Sequence, residues 1–150
     1  RLDALKAAVE TINRRMSALF AEITFSGDCY IKCPADYQTA FSEGVAFRCK
    51  LDRTPWTFYA RLSGGQQALC LLAFVLAINA VFPCPILLAD EIDAALDVDK
   101  VNSLAQVLRK QSEGMQLLII THKQDVIQQC KQIIGTYYCN NNTHIITATN

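Results

Sequence analysis

Apolar residues recur along this chain with two different periods, and the change between them divides it. Leu2, Leu5, Val9, Ile12, Met16 and Leu19 are spaced 3, 4, 3, 4, 3. That a/d stripe predicts a helix, with Lys6, Glu10, Arg14 and Arg15 on its other faces. Because the stripe is in register from its first turn, residues 1–21 read as the end of a longer coiled-coil arm. An ordinary amphipathic helix packed on its own domain is the alternative. From Glu22 to Tyr59 the texture changes to short β-like runs: Ile23-Thr24-Phe25, Cys29-Tyr30-Ile31 and Val45-Ala46-Phe47-Arg48-Cys49. Gly27-Asp28, Gly44 and Thr54-Pro55 punctuate them, which predicts a small antiparallel portion.

After Leu62 helix and strand patterns alternate. A helix is predicted from about Gly65 to Val81, followed by Pro85-Ile86-Leu87-Leu88-Ala89, an apolar run of buried-strand type. Val101, Leu104, Ala105 and Leu108 recur at helical spacing, with Asp97 or Asp99 as N-cap. Leu117-Leu118-Ile119-Ile120 is a second buried strand. Val126, Ile127 and Cys130 mark a short helix, and Ile133-Ile134 with Ile145-Ile146 read as closing strands. The expected fold is therefore α/β, a mostly parallel sheet covered by helices on both faces, beside the small antiparallel portion. Ligand chemistry in such sheets gathers at the carboxyl ends of the strands.

Composition narrows the classes. The chain has 150 residues, 51% of them hydrophobic, which excludes a disordered segment. Fourteen basic and 14 acidic side chains cancel, so no bulk charge grips nucleic acid or anionic membrane. Seven cysteines cannot all pair with one another, no CxxC occurs, and neither histidine has finger-like spacing from a cysteine. They read as reduced, mostly buried thiols in an intracellular protein. Trp56 and the Phe/Tyr set read as core, with a binding surface as the alternative. The opening segment does not read as a signal peptide. The stretch Ala68 to Phe82, polar only at Asn79, has 15 residues, short of the ~20 that span a bilayer; a fully buried core helix is expected. Asn141-Asn142-Thr143, although a glycosylation-type triplet, is read as a turn.

Three places carry chemistry. Leu62-Ser63-Gly64-Gly65-Gln66 stands directly before the long apolar helix. Glycines there let backbone N–H groups approach a ligand, and unpaired donors at a helix start suit a phosphate; a plain glycine turn would look the same. Asp90-Glu91 ends an apolar strand, where two carboxylates are costly unless a cation or partner uses them. Such pairs also occur as simple exits into loops. Thr121-His122 ends the next strand, which would bring His122 to the same edge as Asp90 and Glu91; a lone histidine is commonly just a surface residue.

Taken in order, these motifs resemble the ABC-type ATPases. Leu62 to Gln66 matches that family's signature motif, Ile86 to Asp90 the Walker B strand, and Glu91 the catalytic base. Ala95-Leu96-Asp97 matches the D-loop and His122 the switch histidine. The arm-like helix, Phe41-Ser42-Glu43-Gly44-Val45, Trp56 and Asp90-Glu91-Ile92-Asp93-Ala94-Ala95-Leu96-Asp97 narrow the resemblance to SMC proteins. Residues 22–150 then correspond to the C-terminal lobe of an SMC head. The Phe-Ser-Glu-Gly-Val run and Ile134-Gly135-Thr136-Tyr137-Tyr138 look most like the larger SMC subunit of condensin.

The resemblance implies ATP as substrate and Mg²⁺ as cofactor. Ser63, Gly64 and Gly65 would act on the nucleotide of a partner head, with Leu62, Gln66 and Asp97 also in nucleotide-binding motifs. Asp90 would position Mg²⁺, Glu91 would be the general base and His122 would sense the γ-phosphate. Partners implied are the chain's own N-terminal head lobe, a second SMC head in a heterodimer, a kleisin-type subunit and DNA, with no membrane. The implied role is chromosome condensation and DNA organisation, and the implied location is the nucleus and chromosome, with the cytoplasm before mitosis, or a nucleoid in a prokaryote. Three features depart from the pattern. No G-x-x-x-x-G-K-[ST] occurs, so the chain by itself is expected to be inactive. Gln66-Gln67-Ala68 stands where eukaryotic condensin-type subunits usually show an acidic or basic pair, and His122 where they commonly have Leu. Rival readings are a transporter ATPase domain, a DNA-repair coiled-coil ATPase, and a non-catalytic lobe that binds a kleisin-type partner.

Overall fold

The computed structural model describes residues 1–34, 39–51 and 54–150. Its first element, α1 (Leu2–Thr24), runs three residues past the expected boundary and absorbs Ile23-Thr24, read above as part of a β-like run. The apolar period explains this: Ile12, Met16, Leu19 and Ile23 continue the same stripe, and Met16, Phe20 and Ile23 have no exposed surface. The helix ends on its own side chain. The Thr24 hydroxyl donates to Phe20 O at 2.6 Å and accepts from Gly27 N at 3.0 Å, while Phe25 turns into the left-handed region at φ 68°. The heptad positions Val9, Ile12, Met16 and Leu19 are thus buried within this chain.

A three-stranded antiparallel sheet follows, built from β1 (Asp28–Lys32), β2 (Ala46–Lys50) and β3 (Thr57–Phe58) in that order. A one-turn helix α2 (Ala40–Glu43) precedes β2. Asn13 of α1 fastens the sheet edge: its amide accepts from Ile31 N at 2.8 Å and donates to Ile31 O at 2.9 Å. On the inward face Cys29 stands opposite Cys49, both fully buried, with Cys70 of the next helix packed into the same core. Hydrogen bonding, first to Cys29, pushes the Cys70 thiol up to about 12, and hydrogen bonding to Cys70 with burial raises Cys49. For Cys49 and Cys70 this environment favours the thiol over the thiolate. Cys84 and Cys139 are exposed, so burial is less general than the sequence suggests. Trp56 is also corrected: it lies outside the core, 40% exposed, edge-on to Tyr30 at 4.9 Å. Phe47 and Phe74 take the interior position, 4.8 Å apart.

After a 3-10 turn the chain alternates as predicted: α3 (Gly64–Ile78), β4 (Ile86–Asp90), α4 (Val98–Gln111), β5 (Gln116–Ile120) and α5 (Gln124–Gln129). The hairpin β6 (Gln132–Cys139) and β7 (Asn142–Thr149) closes the chain. Its two-residue turn is Asn140-Asn141, both at positive φ, as asparagine tolerates. Helix α3 buries Leu69, Cys70, Leu72, Ala73 and Leu76 against α1 but leaves Leu71 and Val75 exposed, so it is not the fully buried helix expected. Among the described residues no helix is long and apolar enough to cross a membrane.

Strands β4 and β5 pair in parallel, Ile86 opposite Gln116 through Asp90 opposite Ile120. Burial alternates along both, with Leu87, Ala89, Leu117 and Ile119 facing inward. Ile86, Leu88, Leu118 and Ile120 form a bare apolar face, Leu88 being 70% exposed. The expectation of a sheet covered on both faces is corrected here: this chain supplies cover for one face only.

Candidate functional site

Parallel pairing decides where the chemistry meets. With Asp90 opposite Ile120, the two chains leave the sheet side by side, and Glu91 N donates to Ile120 O at 2.9 Å. Glu91 then turns through φ 46°, a region that non-glycine residues seldom adopt. That turn brings its carboxylate to His122, with Oε1 3.3 Å from Nε2. Both side chains are exposed, and Asp90 is exposed beside them. Two residues deeper, Asp93 is 2% exposed and its carboxylate accepts a hydrogen bond from the Thr121 hydroxyl. Thr121 Oγ1 in turn accepts from Lys123 N at 2.9 Å. Asp93 and Thr121 lie inside sequence motifs that imply no role of their own for either. The available signal was a third acid close behind Asp90-Glu91 and a hydroxyl at the end of an apolar strand.

The glycine-rich motif lies elsewhere. Ser63 is the N-cap of α3 in a reciprocal capping box: Ser63 N donates to Gln66 Oε1 at 3.0 Å, and Gln66 N donates to Ser63 Oγ at 3.4 Å. The two glycines differ. A Cβ on Gly64 would meet nothing within 4 Å, so the helix start is open at that point. A Cβ on Gly65 would stand 2.5 Å from Ala95 O, because α3 abuts the turn that leads into α4. Asp97 caps α4 by accepting from Lys100 N at 3.0 Å, and its side chain also pairs with the Lys100 ammonium, which holds the carboxyl below its usual range. Ser63, Gly65, Gln66 and Asp97 line one cleft of about 470 Å³ with Ala95 and Lys100. Leu62, half-buried, packs against the core.

The expected site residues therefore form two groups. Ser63, Gly65, Gln66 and Asp97 share the cleft, and Glu91 with His122 forms the other group at the strand ends. The cleft lining includes none of Asp90, Glu91 and His122. Among the described residues no cluster of three or more His, Cys, Asp or Glu could hold a metal by itself. An exposed aspartate at a strand end still suits Mg²⁺, which keeps its waters and takes one or two carboxylates plus substrate phosphates.

The glycine contrast gives a direct test. Gly65→Ala is expected to destabilise the protein by about 1–3 kcal/mol through overpacking against a backbone oxygen. Gly64→Ala is expected to be neutral or stabilising by about 0.4–1 kcal/mol, since its φ is not positive. Thermal unfolding of the two variants side by side would show the difference.

Motif order and geometry define an ATPase-head class of fold, and comparison with known proteins agrees. Among solved structures, a chain described under "Structural biochemistry of ATP-driven dimerization and DNA stimulated activation of SMC ATPases" superposes with a TM-score of 0.85 at 27% identity, covering 99% of this chain and 90% of that one. The SMC head of Pyrococcus furiosus, with an extended coiled coil and bound to the C-terminal domain of ScpA, superposes at TM-score 0.86 and 29% identity, over 93% of this chain and 35% of that one. Residues 7–145 match the family model described as RecF/RecN/SMC N terminal domain, and the chain belongs to that family. Its similar relatives include the structural maintenance of chromosomes protein 4 of Saccharomyces cerevisiae, 30% identical over all 150 residues and 10% of the relative's length. The Homo sapiens protein of that name is 31% identical over 91% of this chain and 11% of its own length. The chain thus spans about a tenth of the curated relatives it matches. The family description names an N-terminal domain, and to that extent it corrects the expectation of a C-terminal lobe. Motif order fixes how the segments follow one another, not where the segment stands in a longer polypeptide.

Proposed function

We propose that this chain is the signature-bearing part of an SMC-type ATPase head that hydrolyses ATP jointly with a phosphate-loop lobe and a second head, in the service of chromosome condensation. The observation that carries the reading is the separation of the two groups. Within one chain the signature cleft and the Glu91–His122 pair do not converge, which is the arrangement needed if each completes a site begun on another polypeptide or lobe. Asp90 would hold Mg²⁺, whose charge would stabilise the transferring phosphoryl group. Glu91 would accept a proton from the attacking water, with His122 beside it near the terminal phosphate. Ser63 and the open backbone at Gly64 would face the phosphates of the opposite head.

The bare face of Ile86, Leu88, Leu118 and Ile120 supports a lobe that covers it. The exposed apolar residues of the β6–β7 hairpin, Ile134, Tyr138 and Ile145 among them, support a protein partner of the kleisin kind. The chromosome, within a nucleus, is the location this reading gives, with DNA as the substrate moved. The test is complementation: this chain mixed with the phosphate-loop lobe of the same protein. ATP turnover is expected only in the mixture, and Asp90→Asn is expected to abolish it. Absence of both nucleotide binding and turnover in the mixture would favour the non-catalytic lobe.

A further inference from the structure

We infer that Asp93 is a positioning residue, which acts through Thr121 to hold Glu91 and His122 in register; the inference rests on the ATPase reading above. The Glu91–His122 pair cannot hold itself. Both side chains are largely exposed, at 53% and 86%, and exposed pairs contribute ~0–1 kcal/mol. Glu91 also follows a turn through φ 46°, which persists only where the surroundings fix it. Behind the pair the structure provides a fixed point. Asp93, two residues after Glu91, is nearly fully buried, and its carboxylate accepts from the hydroxyl of Thr121, the residue directly before His122. The same hydroxyl accepts from Lys123 N at 2.9 Å, directly after His122. Both residues flanking His122 are therefore tied to the segment that carries Glu91.

Burial makes this link strong. A carboxylate out of water must find donors, and a hydrogen bond to a charged acceptor is roughly twice as strong as a neutral one. The turn that carries Asp93 also abuts α3, since Leu96 N donates to Asp93 O at 3.2 Å and the neighbouring Ala95 abuts Gly65. The turn between Glu91 and Asp97 is thus held at one end by the strand β5 exit and at the other by α3.

The experiment uses the full-length protein with its partner head and measures steady-state turnover, affinity for a fluorescent ATP analogue and thermal unfolding. Thr121→Val removes the hydroxyl at nearly constant shape. Misplacement of a catalytic group by about 1 Å costs up to ~10²-fold, so kcat is expected to fall about 10- to 100-fold while nucleotide affinity stays within about twofold. Thr121→Ser, which keeps both hydrogen bonds, is expected to restore turnover. If the valine variant does not fold, Asp93→Asn carries the same test: a weaker neutral acceptor should lower kcat with affinity unchanged. Glu91→Gln is measured alongside. Wild-type turnover by folded Thr121→Val or by Asp93→Asn, with Glu91→Gln inactive, would overturn the positioning role alone. Normal turnover by Glu91→Gln would overturn the ATPase assignment on which it rests.

Discussion

Replacing Glu91 with glutamine in the assembled head is expected to lower ATP hydrolysis by about 10²- to 10⁴-fold, the usual contribution of a general base. Glutamine keeps the length and polarity of the side chain, so the turn at φ 46° and the bond from residue 91 N to Ile120 O should survive. Only the capacity to take a proton is lost. Because the side chain is exposed at the strand end, its replacement should leave stability nearly unchanged. The predicted consequence is accumulation of ATP-bound, engaged heads, read as a nucleotide-dependent increase in mass by light scattering together with loss of phosphate release. A variant that turns over normally and fails to accumulate dimers would remove Glu91 from the chemistry.

Ser63→Arg is expected to produce the complementary defect: loss of nucleotide-driven engagement with ATP binding by the same head intact. Ser63 lies at the open start of α3, beside Gly64, whose added Cβ would meet no atom within 4 Å. An arginine there fills the space into which a partner's phosphates would come, and engagement should weaken by at least tenfold, about 1.4 kcal/mol. The same change removes the N-cap, worth about 1 kcal/mol of helix stability, so the control is Ser63→Thr, which keeps a capping hydroxyl. Sedimentation with and without nucleotide separates the two effects. If the arginine variant engages as well as the threonine variant, the signature assignment fails, whatever its melting temperature.

Much of this molecule is legible one segment at a time. The alternation after Leu62, the capping of α4 by Asp97 and the strands ending at Asp90 and Ile120 follow from period and cap chemistry. The end of α1 departs from the β-like pattern of Ile23-Thr24-Phe25, because the apolar stripe continues in step from Met16 and Leu19 to Ile23. Trp56 departs from its expected place in the core for a different reason. It stands just before β3, and its neighbours in space, Tyr30 and Lys50, come from β1 and β2, so its place depends on how those strands pair.

The sequence alone determined the order of the motifs, the elements that carry them and the chemical kinds of residue at each strand end. These are local properties, set by periods of two and 3.6 residues and by side chains that cap their own helices. Only the tertiary structure decided which of those residues meet. Glu91 reaches His122, and Asp93 reaches Thr121 across 28 positions, because β4 and β5 pair in parallel with Asp90 opposite Ile120. Gly65 became a packing position and Gly64 an open one because α3 abuts Ala95. The all-apolar strands likewise required two buried faces, but the fold of this chain covers one. The chain's own pattern favours burial of Leu88 and Ile120, yet its tertiary structure leaves both exposed.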